Sequence, residues 1–501
     1  MKKINEFVFG NVDGKNEASK DSFSLDSFFN YQKIYEKLEE GKFLILGNKG
    51  TGKSFLLEYF RKRKEEEGNV FTDIYLEDFL SKKQIIQHKN EYMDNTKLLK
   101  WIIYIELSKV ILSSDFTNQS NKKIKKLKKF MLKNEFDLKL DTNRIIESSL
   151  EKGIKGNLTI NKGVFEGLIE KIKKCTSKEE PGKYHEYIDD LETVIIDIIK
   201  EEWKSKNYIY IIFDELDNIN DFNKDTYNIL LNLIKVSNDL NSNWGKKVNI
   251  KILIGMRLDI FLKLNSTYTN KIKEDSGIVL SWGKTENYDS PLFQMIFHKM
   301  RVQDENLKPL SNDEIRRKLF YNHKFRLHDK KVTADKYILG KTLLRPRDII
   351  SFFNKAKYIC GEKEVLTPSD LQKISEDFSE YFYTELRNQS HGLIETDFFD
   401  EGIKLLKNCR KTIFLFQELK DYLKENQQSF EKINETNLEK LISIFFEIGL
   451  LGNVKSINGH GGRAYFKYKD DNEMNLKENL TIHYGIRPFL KLNIENKLSG
   501  H

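Results

Sequence analysis

Cysteine, proline and long apolar runs are all scarce in this chain of 501 residues, and each shortage excludes something. The three cysteines, Cys175, Cys360 and Cys409, stand far apart, with no CxxC pair and no set of histidines nearby. Neither a zinc site nor a disulfide framework is indicated, and a reducing cytoplasm is the expected home. No run approaches the roughly 20 apolar residues of a membrane-spanning helix. The first residues, MKKINEFVFG, carry basic groups without the apolar stretch of a secretion signal. Six prolines leave few linkers to read, so domain borders are expected to be soft. Charge of one sign is not in large excess either. With 84 basic and 76 acidic residues the formal net charge is +8, which by itself does not argue for nucleic acid. The histidines are scattered: His323 and His328 lie near Arg326 with no acidic partner at useful spacing, and no nuclease, protease or base-modifying set stands out.

What is present begins at KFLILGNKGTGKSF, residues 42–55. Gly47, Gly52, Lys53 and Ser54 match G-x-x-x-x-G-K-[ST], the Walker A pattern. A loop that wraps a phosphate with backbone amides needs glycines, which accept unusual dihedrals and bring no Cβ into the anion's space. The candidate cradle is Gly47, Asn48, Lys49, Gly50, Thr51, Gly52, Lys53, Ser54 and Phe55. Lys53 is expected to reach the phosphates and Ser54 to ligate Mg2+. The helix begun by SFLLEYFRKR would aim its positive N-terminal dipole at the negative charge. FLIL just before the loop suits a buried parallel strand.

A second buried strand, YIYIIFDE at Tyr208–Glu215, runs into carboxylates in the manner of a Walker B motif. Asp214 at its tip is the candidate Mg2+ holder and Glu215 the candidate for polarising water, a role that Asp217 could share or replace. A third strand, VNIKILIGMRLDIF at 248–261, ends in Met256, Arg257 and Asp259, and Arg257 is the candidate γ-phosphate sensor. In LLRPRDIISFFNKAKYICGE, Pro346 suits a helix start, with Arg345 and Arg347 on either side of it. Ile349, Phe353, Ala356 and Cys360 recur at helical spacing, and Gly361 suits the stop. Either arginine could reach back to a nucleotide as a second sensor.

These residues resemble the AAA+/STAND branch of P-loop ATPases, which includes origin-recognition ATPases with a winged helix. More narrowly, FGNVDGKNEA, GNKGTGKS, GMRLDIF and LRPRDIISF resemble a bacterial P-loop ATPase family often encoded near antiphage defence genes. The resemblance covers both ends of the chain but not its middle. It implies an α/β fold, a P-loop core with a parallel sheet, a helical lid and a C-terminal winged helix, to which the spacing of the Walker motifs adds a large helical insertion. It further implies an ATP- and Mg2+-dependent switch acting with a protein effector or by self-association, in defence or signalling. DELD at Asp214–Asp217 is similar to the D-x-x-D form of STAND proteins, which implies slow hydrolysis that resets the switch. The alternative implied is an origin-recognition-like DNA-binding ATPase or loader.

The expected domains are a lead segment at 1–30, a core at 31–285, a lid at 286–395 and a winged helix at 396–501. About 160 residues separate the Walker motifs, when a strand, a helix and short loops need about half that. An insertion at about 78–190 is therefore expected. Inside it, Lys97–Leu112 suits a helix. NKKIKKLKKFMLKN at 121–134 places Ile124, Leu127 and Met131 on one narrow stripe of a basic helix. Its lysines would face phosphate, or would be balanced by Glu179, Glu180 and the acidic stretch Glu186–Glu192.

Near the C-terminus, Lys411–Glu425 shows Phe416, Leu419 and Leu423 on one face. Thr436 is expected to cap the next helix with Glu439 three residues on. GNVKSI and RAYFKYK flank NGHGG as a hairpin around Gly459, Gly461 and Gly462, completing a winged helix. The helix expected to enter a DNA groove exposes Glu439, Lys440, Ser443 and Glu447, with Glu435 just ahead and Asn437 its sole base-reading type. The wing is better supplied, with Lys455, His460, Arg463 and Lys467. Protein contact or weak backbone contact is favoured over sequence readout.

Overall fold

The computed structural model describes residues 1–14, 17, 25–74, 95–117, 120–133, 183–203, 206–214, 216, 224–264, 266–321, 325–327, 330–456, 462–470 and 473–492. They fall into two compact units. One comprises residues 33–48 and 56–279, the other residues 1–32, 49–55 and 280–501.

The first unit is built on five parallel strands in the order β2-β3-β4-β1-β5. They are β1 Leu44–Gly47, β2 Val70–Asp73, β3 Ile209–Phe213, β4 Ile250–Arg257 and β5 Gly277–Val279. Every residue of β1 and β3 is buried, which is why these strands read as unbroken apolar runs rather than as alternation. The chain leaves β1, forms the helix Lys53–Glu66 and returns as β2 at the far edge, so that β3 and β4 later fill the gap. That order brings the C-terminal ends of β1, β4 and β3 side by side, where open parallel sheets bind ligands.

Helix Lys224–Trp244 lies on β4, and helix Asn95–Ser113 packs against it and against helix Lys183–Glu202. The basic segment is a helix, Lys122–Lys133, on the same bundle, with Ile124, Leu127 and Met131 buried as their spacing predicts. Lys123 of this helix pairs with Glu201 at 2.7 Å and Asp197 at 3.5 Å. The acids that answer it therefore lie beyond the stretch Glu186–Glu192 that charge balance alone pointed to. Glu179 and Glu180 lie outside the described residues, as do 75–94 and 134–182 of the expected insertion.

The second unit has a single apolar core that runs from the N-terminal segment through the helices to the last strands. Ile4, Phe7 and Phe9 of the lead segment are buried in it, and the Phe9 ring lies 4.9 Å from that of Phe353. Helix Pro346–Cys360 starts at its proline and buries Ile349, Phe353, Ala356 and Cys360, the face read from spacing. It packs along helix Pro368–Ser390. Helices Thr396–Cys409, Phe416–Glu425 and Leu438–Glu447 follow. They are joined to a four-stranded antiparallel sheet in the order β10-β9-β11-β8. Its strands are β8 Ile413–Phe414, β9 Leu451–Ser456, β10 Gly462–Tyr465 and β11 Asn479–Ile482, while β6 Phe325–Leu327 and β7 Lys330–Val332 form a separate pair.

Two details differ from the sequence reading. The residues from Lys411 do not start a helix at once, because Ile413 and Phe414 pair with β11 first. The hairpin is thus part of a larger sheet, built from strands too short to announce themselves. The expected cap at Thr436 also gives way. The helix begins at Leu438 after Asn437, and the Asn434 side chain instead accepts from the backbone N–H groups of Thr436 and Asn437. The asparagine turn takes the Thr436 N–H that the Glu439 side chain would accept in a capping box. Of the expected hairpin glycines, Gly459 and Gly461 lie outside the described residues. No helix among the described residues is long and apolar enough to cross a membrane.

Candidate phosphate-binding loop and strand-end site

The loop between β1 and its helix has the backbone its sequence asks for. Gly50 and Gly52 take φ of +83° and +98°, left-handed values that a side chain would strain. Alternation of such residues with ordinary ones turns successive N–H groups toward one concave face, an anion-binding nest. Nothing lies within 4 Å of where a Cβ of Gly52 would be, so the loop is open there. Lys53 is the first residue of the helix and is buried, as is Thr51. The first turn carries no acidic residue, so the positive end of the dipole is not offset locally. Phe55, one residue past Ser54, is held from three sides. The Phe28 ring stacks at 6.0 Å, the Lys299 ammonium sits 5.7 Å from its ring centre, and Gly14 packs against its Cβ.

The arginines beside Pro346 divide into two roles. Arg345 is buried and makes a two-pronged bond to Asp348, with Nη2 to Oδ1 at 2.7 Å and Nε to Oδ2 at 3.0 Å. Its remaining nitrogen, Nη1, donates to the Lys49 carbonyl at 3.1 Å. Burial works against the Arg345 charge, but Asp348 more than offsets it and the group stays firmly protonated. Asp348 is fully buried and also accepts from the Leu343 N–H and the Tyr381 hydroxyl. Arg345 is thus occupied as a strut. Arg347 differs: its N–H donates to the Gly50 carbonyl at 3.3 Å, while its side chain lies along Gly50 and pairs with Glu385 at 3.4 Å. Its Nε is buried and has no hydrogen-bond partner.

At the strand ends of the other unit, Gly47 of β1 pairs with Arg257 of β4, and Asp214 follows β3 directly. Arg257 bonds Asp259 through both Nε (3.0 Å) and Nη2 (2.7 Å). Burial pushes the Asp259 carboxyl up, but the Arg257 bonds and charge outweigh it and hold it below the usual range. The candidate sensor on this strand is therefore parked on a neighbouring carboxylate. Glu215 and Asp217 lie outside the described residues.

Sequence reading passed over Gly255. A Cβ built there would lie 2.6 Å from Asp214 Oδ1 and 3.1 Å from Leu57 Cδ1. The absence of a side chain on β4 is what leaves room for the aspartate, and the signal was a lone glycine inside the apolar run ILIGM. Gly255→Ala is expected to displace the Asp214 carboxylate and to cost about 1–3 kcal/mol by overcrowding. Chemical denaturation measures it; an unchanged midpoint would show that the strand yields freely.

Comparison with known proteins places a family described as the FunZ-associated C-terminal helical domain on residues 291–387, inside the second unit. Among solved structures, the chain is similar to Cdc6p from Pyrobaculum aerophilum, at 11% identity and a TM-score of 0.33, covering 95% of this chain and 96% of that one. It is also similar to the ORC2 protein of Aeropyrum pernix, at 10% identity and a TM-score of 0.34, covering 92% and 91%. Comparison with curated proteins gives no match. Likeness of this degree says nothing of function, for which the residues themselves must speak.

Proposed function

We propose that the chain is a Mg-ATP-dependent switch. ATP is bound by the loop Gly47–Phe55 and hydrolysed slowly, and the γ-phosphate sets the state of the lid and winged helix toward a protein partner. The observation that carries this reading is the nest itself: left-handed glycines at 50 and 52, followed at once by buried Lys53 at a helix start. The donor set suits the cofactor, since the Ser54 hydroxyl and Asp214 carboxylate are hard oxygen ligands of the kind Mg2+ takes. Bound Mg2+ would offset phosphate charge. Lys53 holds phosphate oxygens, Glu215 orients the attacking water, and Arg257 and Arg347 report the γ-phosphate. Arg345 supports the loop rather than the ligand, as its bonds to Asp348 and Lys49 favour. Because lid and winged helix share one core, they respond as one body. A role in bacterial defence or signalling rests on the motif resemblance.

Lys53→Ala removes a charge-assisted contact worth about 1.5–3 kcal/mol, so Mg-ATP affinity is expected to fall roughly 10- to 150-fold. Titration calorimetry with wild type and variant reads this, and phosphate release gives the turnover. A wild-type protein that ignores millimolar Mg-ATP would end the proposal.

A second reading, DNA contact, draws on the wing. Lys455 and Arg463 are exposed and lie 5.1 Å and 4.9 Å from the centre of the half-buried Tyr465 ring, two cations that could meet a nucleic-acid backbone, although Arg463 also pairs with Asp470 at 3.4 Å. Against it, Lys467 faces Glu447 at 3.9 Å, and the preceding helix shows solvent two glutamates and one lysine. Duplex binding that vanishes steeply with salt would favour this reading. No binding at low salt would remove it.

A further inference from the structure

We infer that Trp282 is a positioning residue for the phosphate loop, the third rung of a clamp that presets the loop for its ligand. Its indole Nε1–H donates to the Thr51 carbonyl at 2.9 Å. With Arg345 on the Lys49 carbonyl and the Arg347 N–H on the Gly50 carbonyl, three consecutive loop carbonyls are each held by a donor from the same unit. The inference rests on the nucleotide reading above and adds how the cradle keeps its shape.

The physical reason lies in the planar peptide bond. Fixing the C=O of one residue fixes the N–H of the next, which points the opposite way across the same rigid plane. Holding the carbonyls of Lys49, Gly50 and Thr51 outward therefore turns the N–H groups of Gly50, Thr51 and Gly52 to the concave side. Two of these three residues are glycines with left-handed φ, whose backbones have the most freedom to lose. A clamp is of most use at such a segment, because ordering done in advance is not charged against binding. The donors are themselves anchored. The Arg347 N–H belongs to the first turn of helix Pro346–Cys360, where amides lack a partner within the helix, and Gly50 supplies one. Trp282 stacks on Tyr31 at 5.6 Å and an 18° interplanar angle and on Phe29 at 6.5 Å, so the indole cannot swing without breaking these contacts.

Trp282→Phe keeps a ring for the stack and removes the single donor. In nucleotide-free protein, hydrogen exchange of the amides of residues 50–52 is expected to speed up several-fold. Mg-ATP affinity is expected to fall roughly 2- to 12-fold, the worth of one neutral hydrogen bond. Turnover at saturating ATP should stay near the wild-type value, since a preset loop helps binding more than chemistry. Unchanged exchange at these amides, with unchanged affinity, would overturn the clamp. The two readings separate cleanly: wild type that does not bind ATP sinks the nucleotide function, while exchange in the absence of nucleotide still tests the clamp. If W282F does not fold, exchange at the amides of residues 50–52 in the nucleotide-free wild type takes its place: exchange slower than in an unstructured chain supports a loop held in advance, and exchange at the unstructured rate counts against it.

Discussion

Asp348→Ala is expected to cost the second unit about 3–5 kcal/mol, the largest single effect foreseen in this protein. The carboxylate is fully buried and takes four donors: two from Arg345, the Leu343 N–H and the Tyr381 hydroxyl. Removing it strands a buried guanidinium and a buried amide at once, and the chain just before the helix already turns through left-handed φ at Leu344 (+53°). The loss exceeds what any surface pair in the chain could produce, because those pairs exchange one solvated partner for water. Urea denaturation measures it, and a change below about 1 kcal/mol would show that water reaches Arg345. The double variant Arg345→Met with Asp348→Leu separates stability from positioning. Replacing both members by apolar groups of similar volume should recover most of the stability. It should not restore the donor to the Lys49 carbonyl, so ATP affinity is expected to stay low in a well-folded protein.

The second large effect is acid sensitivity centred on His483. Its ring is fully buried, stacked on Phe382 at 4.8 Å, with Nδ1 accepting from the Gly485 N–H and Nε2 against the Tyr468 hydroxyl. An accepting Nδ1 makes the ring a neutral Nε2–H tautomer. Burial pushes its pKa well below the usual value, and the nearby charges of Arg487 and Lys341 push it further down. Lys469 also opposes the proton, while a backbone contact from Thr342 favours it weakly. In the unfolded chain the same group titrates near about 6.5. Below that pH the unfolded state holds a proton that the folded state refuses, so stability falls as pH falls. Between the lowered folded pKa and the unfolded one, the slope from this group approaches that of one proton, about 1.4 kcal/mol per pH unit. Above about pH 7 the contribution is complete and flat. His483→Gln cannot titrate, so its stability should depend on pH less steeply below 6.5, by about one proton's worth. Equal slopes in the two proteins would show that the ring is protonated in the fold.

Where the sequence was legible, it was so because the pattern and the chemistry coincide. The continuous apolar runs at FLIL and IYIIF read as strands buried on both faces, and the strands Leu44–Gly47 and Ile209–Phe213 are buried at every residue. Pro346 marked a helix start to the residue, and Ile124, Leu127 and Met131 marked the buried stripe of a basic helix. The misses share a cause. Ile413–Phe414 became a strand because β11 lies beside it, the helix after Asn437 lost its expected cap to an asparagine turn, and Lys123 found Glu201 and Asp197 across a helix pair. Each depended on a partner distant in sequence, or on two local bonding patterns of similar strength.

By itself the sequence determined an α/β chain with a glycine-rich turn leading into a helix, because that requirement is local: glycines, a lysine and a helix start within eight residues. Tertiary structure alone decided which arginine is spent on Asp348 and which keeps an unpartnered nitrogen, why β4 needs Gly255, and what holds the loop's outer carbonyls. A side chain's identity states what it can donate. Which carbonyl or carboxylate stands opposite is set by the packing of segments that lie up to hundreds of residues apart.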